Sequence, residues 1–333
     1  MKKPKRKTTK SLGEFELIKK MSAKAFSNDS VLLGIGDDAA EIKLQDGHNL
    51  LVTTDLLVED VHFRIGNTTA RELGHKAMAV NLSDIAAMGA KPLAAFVSVA
   101  IPKHISNNFC INLFNGMNAL AEKHQTAIAG GDTTSSTDKL VINITLTGQA
   151  LKGKSLTRKN AKAGNELYLV GDVGLSRAGL ESLENGLKAS EKLRQAHKCP
   201  EPLINEGLRL SQSGSCTACI DVSDGLLGDL SHILEQSVLA AEIELDKIPV
   251  TKELKRFASY NKVKTSDYLL NGGEDYALLF CVKDENFLKD WPKTLKQPVK
   301  IGRLKKGEGI TLLDENGKII DEVQAGFDHF KGS

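Results

Sequence analysis

Acidic residues recur in this chain where an apolar, strand-like run gives out. Leu32-Leu33-Gly34-Ile35-Gly36 leads into Asp37-Asp38, Leu50-Leu51-Val52-Thr53-Thr54 into Asp55, and Ala127-Ile128-Ala129-Gly130-Gly131 into Asp132. Cys219-Ile220 leads into Asp221-Val222-Ser223-Asp224-Gly225, and Leu269-Leu270-Asn271-Gly272-Gly273 into Glu274-Asp275. One Gly-Asp turn signals only a turn. Five such junctions, without a thiolate or imidazole cluster beside them, read as a store of hard oxygen donors. Carboxylates with neighbouring Thr and Ser hydroxyls suit Mg²⁺ and not zinc, and the adjacent glycines let a ligand approach the backbone closely.

Asp84 stands apart from these. Thr69-Ala70-Arg71-Glu72 has the form of a capping box that starts a helix. Leu73, Ala77, Val80 and Asp84 then follow at i, i+4, i+7 and i+11, and eleven residues at about 100° each return to within about 20° of the starting face. Asp84 therefore points where the apolar side chains point. It also lies near the C-terminal end of the helix, where the macrodipole disfavours an anion. An unpaired buried carboxylate costs several kcal/mol, so the spacing requires either an Arg or Lys partner or a metal ion.

Three motifs imitate other chemistries. Gly148-Gln149-Ala150-Leu151-Lys152-Gly153-Lys154-Ser155 fits the P-loop pattern, but the segment after it, Leu156 to Gly164, is too short and has no apolar face for the helix that a P-loop needs. Gly34-Ile35-Gly36-Asp37-Asp38-Ala39 imitates a dinucleotide fingerprint, with Asp55 downstream. Its two aspartates would repel a pyrophosphate, and Asp46-Gly47 reads as a hairpin turn where a crossover helix should stand. Cys216-Thr217-Ala218-Cys219 is a single C-x-x-C with no second pair, so packing explains it best. Among the eight His, only His62 lies close to an acid-rich segment, Glu59-Asp60-Val61-His62-Phe63. No G-x-S-x-G elbow supports serine hydrolase chemistry.

Alternating strand-like and helical patterns must position these groups. Strands are expected at Val31–Ile35, Leu50–Thr54, Leu93–Ile101, Thr126–Ala129, Leu140–Thr147, Glu166–Val170, Ala218–Val222, Ala240–Leu245, Tyr276–Val282 and Val299–Leu304. Helices are expected at Glu14–Ala25, Ala70–Met88, Asn107–Lys123, Ser176–Asn185, Glu201–Gln212, Gly225–Glu235 and Lys252–Ser259. The Lys-, Gly- and Ala-rich stretch from Leu151 to Asn165 places a boundary near its start, giving domains at 13–148 and 149–330 behind a disordered basic tail at 1–12.

The 333 residues, 41% hydrophobic and 26% charged, are ordinary for a globular protein of about two domains. The net charge of +2 is uneven: Met1 to Lys10 hold six basic residues, and the remainder balances 38 basic against 42 acidic. The body therefore offers no basic surface for nucleic acid. No apolar run reaches the roughly 18–20 residues that span a bilayer, and no apolar segment follows the basic start as in a secretory signal. Five cysteines are too few for a disulfide framework, so a reducing cytoplasm is the expected location.

The acid-bearing segments also occur in a telling order. Gly34-Ile35-Gly36-Asp37-Asp38-Ala39, Thr53-Thr54-Asp55 and Val80-Asn81-Leu82-Ser83-Asp84-Ile85-Ala86-Ala87-Met88-Gly89-Ala90 come first. Gly130-Gly131-Asp132-Thr133-Thr134, Asp221-Val222-Ser223-Asp224-Gly225-Leu226 and Gly272-Gly273-Glu274-Asp275-Tyr276 follow. Together they resemble the thiamine-monophosphate kinases, from Gly13-Glu14-Phe15 to Gly326-Phe327-Asp328-His329-Phe330. The resemblance implies a two-domain α+β fold of the aminoimidazole-ribonucleotide-synthetase-like superfamily, with mixed sheets, flanking helices and neither P-loop nor Rossmann unit. It implies Mg²⁺-dependent transfer of the ATP γ-phosphate to thiamine monophosphate, and a homodimer. Carried over by position, Asp38, Thr53, Thr54, Asp55, Asp84, Asp132, Asp221 and Asp224 would hold several Mg²⁺ ions. Gly131, Asp132, Arg158 and Ser223 would contact ATP, and His62, Glu274 and Phe327 the thiamine substrate. Arg158 is followed by Lys159-Asn160 where these kinases usually have Ser-Gly, and Asn165 stands where they often have Asp. Two other readings stay open on the same scaffold: an ATP-dependent synthetase acting on an amidine or selenium species, and a non-catalytic nucleotide-binding protein. Selenophosphate synthetases expect an early reactive Cys or selenocysteine, whereas the first cysteine here is Cys110. The hydrogenase-maturation relatives expect a C-terminal Cys, and this chain ends Lys331-Gly332-Ser333.

Overall fold

A computed structural model describes residues 13–323; the basic tail and Phe327 lie outside the described residues. The first half runs α1 (Glu14–Ser22), β1 (Val31–Leu33), β2 (Glu41–Ile42), β3 (His48–Val58), α2 (Ala70–Ala87), β4 (Lys91–Pro102), α3 (Asn107–Lys123), β5 (Ala127–Ser136) and β6 (Val141–Leu151). The second half runs β7 (Glu166–Val170), α4 (Leu175–Glu184), α5 (Glu191–Lys198), α6 (Ile204–Ser213), β8 (Cys216–Asp221), α7 (Leu226–Ser237) and β9 (Ala240–Glu244). It ends with α8 (Lys252–Asn261), α9 (Thr265–Asn271), β10 (Leu278–Val282), β11 (Val299–Lys305), β12 (Ile310–Leu313) and β13 (Ile319–Val323).

Each half builds a mixed sheet. The first has the order β3-β6-β4-β5, antiparallel except for β4 and β5, which α3 connects in parallel. The second has the order β13-β12-β9-β11-β7-β10-β8, in which only β12 and β9 run parallel. Side chains alternate faces along a strand, and β7 shows the consequence. Tyr168 and Val170 enter one hydrophobic core, while Leu167 and Leu169 enter another. The second sheet is thus covered on both faces, by α2 and its neighbours on one side and by α4, α7, α8 and α9 on the other.

Helix α2 occupies the middle of the first core. Its capping box forms: Glu72 N–H donates to Thr69 Oγ1 at 3.2 Å, and Thr69 N–H donates to Glu72 Oε2 at 2.8 Å. Fourteen of its 18 residues are buried, so it is enclosed nearly all round and not merely laid on a surface. It crosses α3 at very short range. A Cβ at Gly74 would lie 1.9 Å from the Leu113 carbonyl oxygen, and one at Gly116 would lie 2.1 Å from that of Arg71. Only glycine permits this crossing.

Several boundaries differ from the sequence expectation. Strand β3 continues past Thr54 to Val58, and β5 past Ala129 to Ser136, so Asp55 and Asp132 lie within strands and not at their ends. The reason is that Leu56-Leu57-Val58 pairs with Asn143-Ile142-Val141, and Asp132 to Ser136 pairs with Ser98 to Pro102, which prolongs the ladders. Helices α5 and α9 and strands β2, β12 and β13 were not expected. The P-loop imitation ends as the sequence suggests: Gly148 to Leu151 closes β6, and the next regular element is the strand β7. The glycine imitation of a dinucleotide site lies between the antiparallel strands β1 and β2, and no helix stands between it and β3. All five cysteines are free thiols, with Cys110, Cys219 and Cys281 buried. No described helix is long and apolar enough to cross a membrane.

Candidate active site

The inward face of β3 carries Leu51, Thr53, Asp55 and Leu57, and the last turn of α2 lies against it. Thr53 donates its hydroxyl proton to Asp84 Oδ2. One residue earlier on α2, Ser83 Oγ donates to Asp221 Oδ2 at 2.6 Å. Asp221 is the last residue of β8, so α2 carries a carboxylate from the first half to meet one from the second. A small cavity of about 150 Å³ results, lined by Asp55, Asp84, Asp221, Ser223, His62, Lys76 and Glu274 among others.

The electrostatics of this pocket are those of an anion excess. Burial, then the neighbouring Asp84 charge, pushes Asp55 up to about 6. The same two causes push Asp221 up to about 7, against the Ser83 hydrogen bond and the charge of Arg158. Burial also raises Asp84, opposed by Thr53 and Arg158. The sequence left Arg or Lys against a metal as partner for Asp84. Arg158 is exposed and acts on Asp84 and Asp221 through its charge, and no ion pair joins it to either among the described residues. Three crowded carboxylates facing a single guanidinium, with hydroxyl donors between them, fit a hard divalent cation.

Not all the expected ligands share this pocket. Thr54 faces the other side of β3, where its Oγ1 accepts from Asn143 Nδ2 at 3.0 Å. Asp38, Gly131 and Asp132 line a separate groove of about 440 Å³, floored by Ile18, Met21, Phe96, Phe114 and Ile128. Gly131 has φ +147°, and a Cβ there would meet the Val97 carbonyl oxygen at 1.8 Å, so the bulge in β5 requires glycine. The register runs Asp55–Ile144–Val97–Gly131 across the sheet. Three strand spacings, about 14 Å, therefore separate Asp55 from the Gly131-Asp132 pair. Asp224 forms a third group: its carboxylate lies within 4.8 Å of ligand atoms of Asp229 and His232.

Asp229 escaped the sequence reading. Its Oδ2 accepts the backbone N–H groups of Ser223, Asp224 and Gly225 at 2.9 Å, 3.0 Å and 3.1 Å, which folds the Asp221–Gly225 loop around one oxygen. Burial pushes it up to about 8. The signal was available, since Asp229 follows Leu226-Leu227-Gly228 in the first turn of α7, four residues after Gly225.

A larger cavity of about 430 Å³ adjoins the acid pocket and shares His62, Lys76 and Glu274 with it. That volume lies within the range of small-molecule sites, roughly 300–1,000 Å³. His62 is exposed, and its Nδ1 accepts the Val58 N–H at 3.0 Å. Glu274 Oε2 accepts from Lys76 Nζ at 3.0 Å and lies 3.2 Å from His197 Nδ1. Burial opposes its charge, yet His197 and Lys76 outweigh burial and hold the carboxyl down to about 2.

Comparison with known proteins shows the family and the fold. The AIR synthase related protein family matches through its N-terminal domain at residues 36–150 and its C-terminal domain at residues 162–315. Over 332 residues the chain is 35% identical to the thiamine-monophosphate kinase of Bacillus subtilis (strain 168), covering 96% of this chain and 100% of that one. The crystal structure of thiamine-monophosphate kinase from Stenotrophomonas maltophilia K279a superposes with a TM-score of 0.81 at 34% identity, over 92% of this chain and 98% of that one. A structure described as AaThiL complexed with AMPPCP and TMP gives a TM-score of 0.74 at 30% identity, over 96% and 99% of the two chains. With this two-domain AIR synthase-like fold and these relatives, the chain belongs to the thiamine-monophosphate kinase family.

Proposed function

We propose that this chain transfers the γ-phosphate of ATP to thiamine monophosphate, releasing ADP and thiamine diphosphate. The observation that carries the reading is the convergence of Asp55, Asp84 and Asp221 in a pocket that shares walls with a cavity of small-molecule size. The relatives' activity and the ligands of the AaThiL complex point the same way.

The acceptor's own phosphate serves as nucleophile. Its second pKa is near 6, so it is largely dianionic at neutral pH and needs no strong base. One of its oxygens bonds to the γ-phosphorus while the bond to the ADP oxygen breaks, and ADP leaves with that electron pair. Thr53, Asp55, Asp84 and Asp221 from the central pocket, with Asp38, Thr54, Asp132 and Asp224 beyond it, would hold several Mg²⁺ ions, which when bound neutralise phosphate charge and favour an in-line approach. Arg158 offers a guanidinium to a phosphate oxygen. Ser223 and the Gly131 backbone stand as ATP contacts, and His62, Glu274 and Phe327 as thiamine contacts. The groove beside Asp132, apolar at its floor and acidic at its rim, suits the nucleoside end of ATP.

A second copy of the chain completes the site on this reading. Leu50, Val52 and Leu56 on the outward face of β3 are 50%, 60% and 52% exposed, an apolar row on a sheet edge that a partner would cover. Setting the β3 edge of one copy beside the β5 edge of another would bring Asp55 to the partner's Asp132, which the intervening strands of one chain prevent. The free thiols suit a reducing cytoplasm.

The test is direct. Incubation with ATP, thiamine monophosphate and Mg²⁺ should yield thiamine diphosphate and ADP in equal amounts by chromatography. ADP without thiamine diphosphate, or no reaction with folded protein, would sink the reading.

A further inference from the structure

We propose that Lys76 and His197 are positioning residues for the acceptor cavity: buried side chains that fix the Glu274 carboxylate for a cationic heteroaromatic substrate. The inference rests on the kinase reading above, since it takes thiamine monophosphate as the molecule that Glu274 meets. Lys76 is 3% exposed and His197 is 8% exposed, so neither is a solvated surface charge. Lysine at that depth requires a partner.

Lys76 Nζ reaches three acceptors: Glu274 Oε2 at 3.0 Å, the His62 carbonyl oxygen at 3.4 Å and His197 Nε2 at 3.5 Å. One ammonium group on α2 thus holds both the turn that carries Glu274 and the loop that carries His62. Donation to Nε2 leaves the imidazole proton on Nδ1, which faces Glu274 Oε2 at 3.2 Å and Ser176 Oγ at 3.0 Å. Burial keeps His197 below its usual range, in accord with a neutral ring. With Oε2 engaged twice, Oε1 meets no other partner among the described residues. The backbone reinforces this setting. Glu274 and Tyr276 have φ of +60° and +53°, conformations that non-glycine residues rarely adopt. Their N–H groups donate to Ser223 O at 2.7 Å and Val222 O at 2.8 Å, which ties the Glu274 turn to the loop after Asp221.

Steady-state constants and equilibrium binding of thiamine monophosphate test the inference together. Lys76→Met should raise KM for thiamine monophosphate by about tenfold or more while leaving KM for ATP within about threefold, and Lys76→Arg should recover most of the loss. His197→Gln should show the same split more weakly, and it carries the test if Lys76→Met does not fold. In a Glu274→Gln background Lys76→Met should add less than about threefold, because the group that it positions is already changed. Equal rises in both KM values, or multiplying effects in the double variant, would overturn the positioning role. A wild-type chain that turns over thiamine monophosphate, with Lys76→Met unchanged, defeats this inference alone. A wild-type chain that neither binds nor converts it defeats both this inference and the kinase reading.

Discussion

Ser83 Oγ donates to Asp221 Oδ2 at 2.6 Å, joining α2 of the first half to the end of β8 in the second. Asp221 is 4% exposed, so this hydroxyl serves a carboxyl group that meets little water. Ser83→Ala should cost about 1–3 kcal/mol of stability, the range for a buried polar group left without its partner. Denaturant unfolding checks this, and kcat should fall with it as Asp221 loses its fixed orientation. A variant as stable and as active as wild type would show the contact to be incidental.

Asp55→Asn and Asp84→Asn should each lose most of kcat at fixed Mg²⁺ while the fold is retained. In metal-free protein each substitution removes one of several mutually repelling buried charges, so melting temperatures should hold or rise. Near-wild-type turnover in either variant would remove that residue from the metal cluster.

The pH dependence of stability has a determined sign. Folding raises Asp55 to about 6, Asp221 and Asp275 to about 7 and Asp229 to about 8, with burial the largest cause in each. Between about pH 4 and pH 8 these four carboxyl groups bind more protons in the folded chain than in the unfolded chain, and their contribution to stability falls as pH rises; His75, His124 and His197, lowered by burial, act the other way below about pH 6.5. Thermal melts with a chelator should show a midpoint that falls from about pH 6.5 to about pH 8, where only the raised acids titrate. Added Mg²⁺ should recover the loss at pH 8, because ligand binding to the folded state stabilises it. A flat profile that ignores Mg²⁺ would contradict the cluster.

Lys154→Ala should leave turnover within about tenfold of wild type. A P-loop lysine places charge on transferring phosphate and its loss costs far more. Lys154 is exposed beyond β6, and the next regular element after it is the strand β7, not a helix. Complete loss of activity in a folded variant would revive the P-loop reading.

Val52→Lys combined with Leu50→Lys should yield monomers by sedimentation and reduce turnover, because two charges would be forced into the face of β3 that the proposed dimer buries. A dimer that persists would place the interface elsewhere.

The site was partly legible because some of its signals are local. The Leu73-Ala77-Val80-Asp84 stripe and the Thr69–Glu72 box depend on one helix, and both stand as read. Lys76 sits in the same stripe, three residues after Leu73, and was passed over because its partners come from residues 197 and 274. Asp55 and Asp132 were placed at strand ends because Asp, and the Gly130-Gly131 pair before Asp132, are poor strand formers, and the cross-strand ladder overrode that preference. Helix α5 buries only Leu193 and His197, too few for a periodic signal, and β12 and β13 are only four and five residues long. The split of the acids between two grooves was illegible for a different reason: strand order β3-β6-β4-β5 is not sequence order.

Because α2 is walled by elements from both halves, neither half can complete its interior in isolation. A polypeptide ending near residue 150 would present the flank of α2 that α6 and β8 normally cover, and would aggregate rather than stand as an autonomous module. Co-expressed fragments should instead dock on that helix, and the intact enzyme should melt in a single cooperative step.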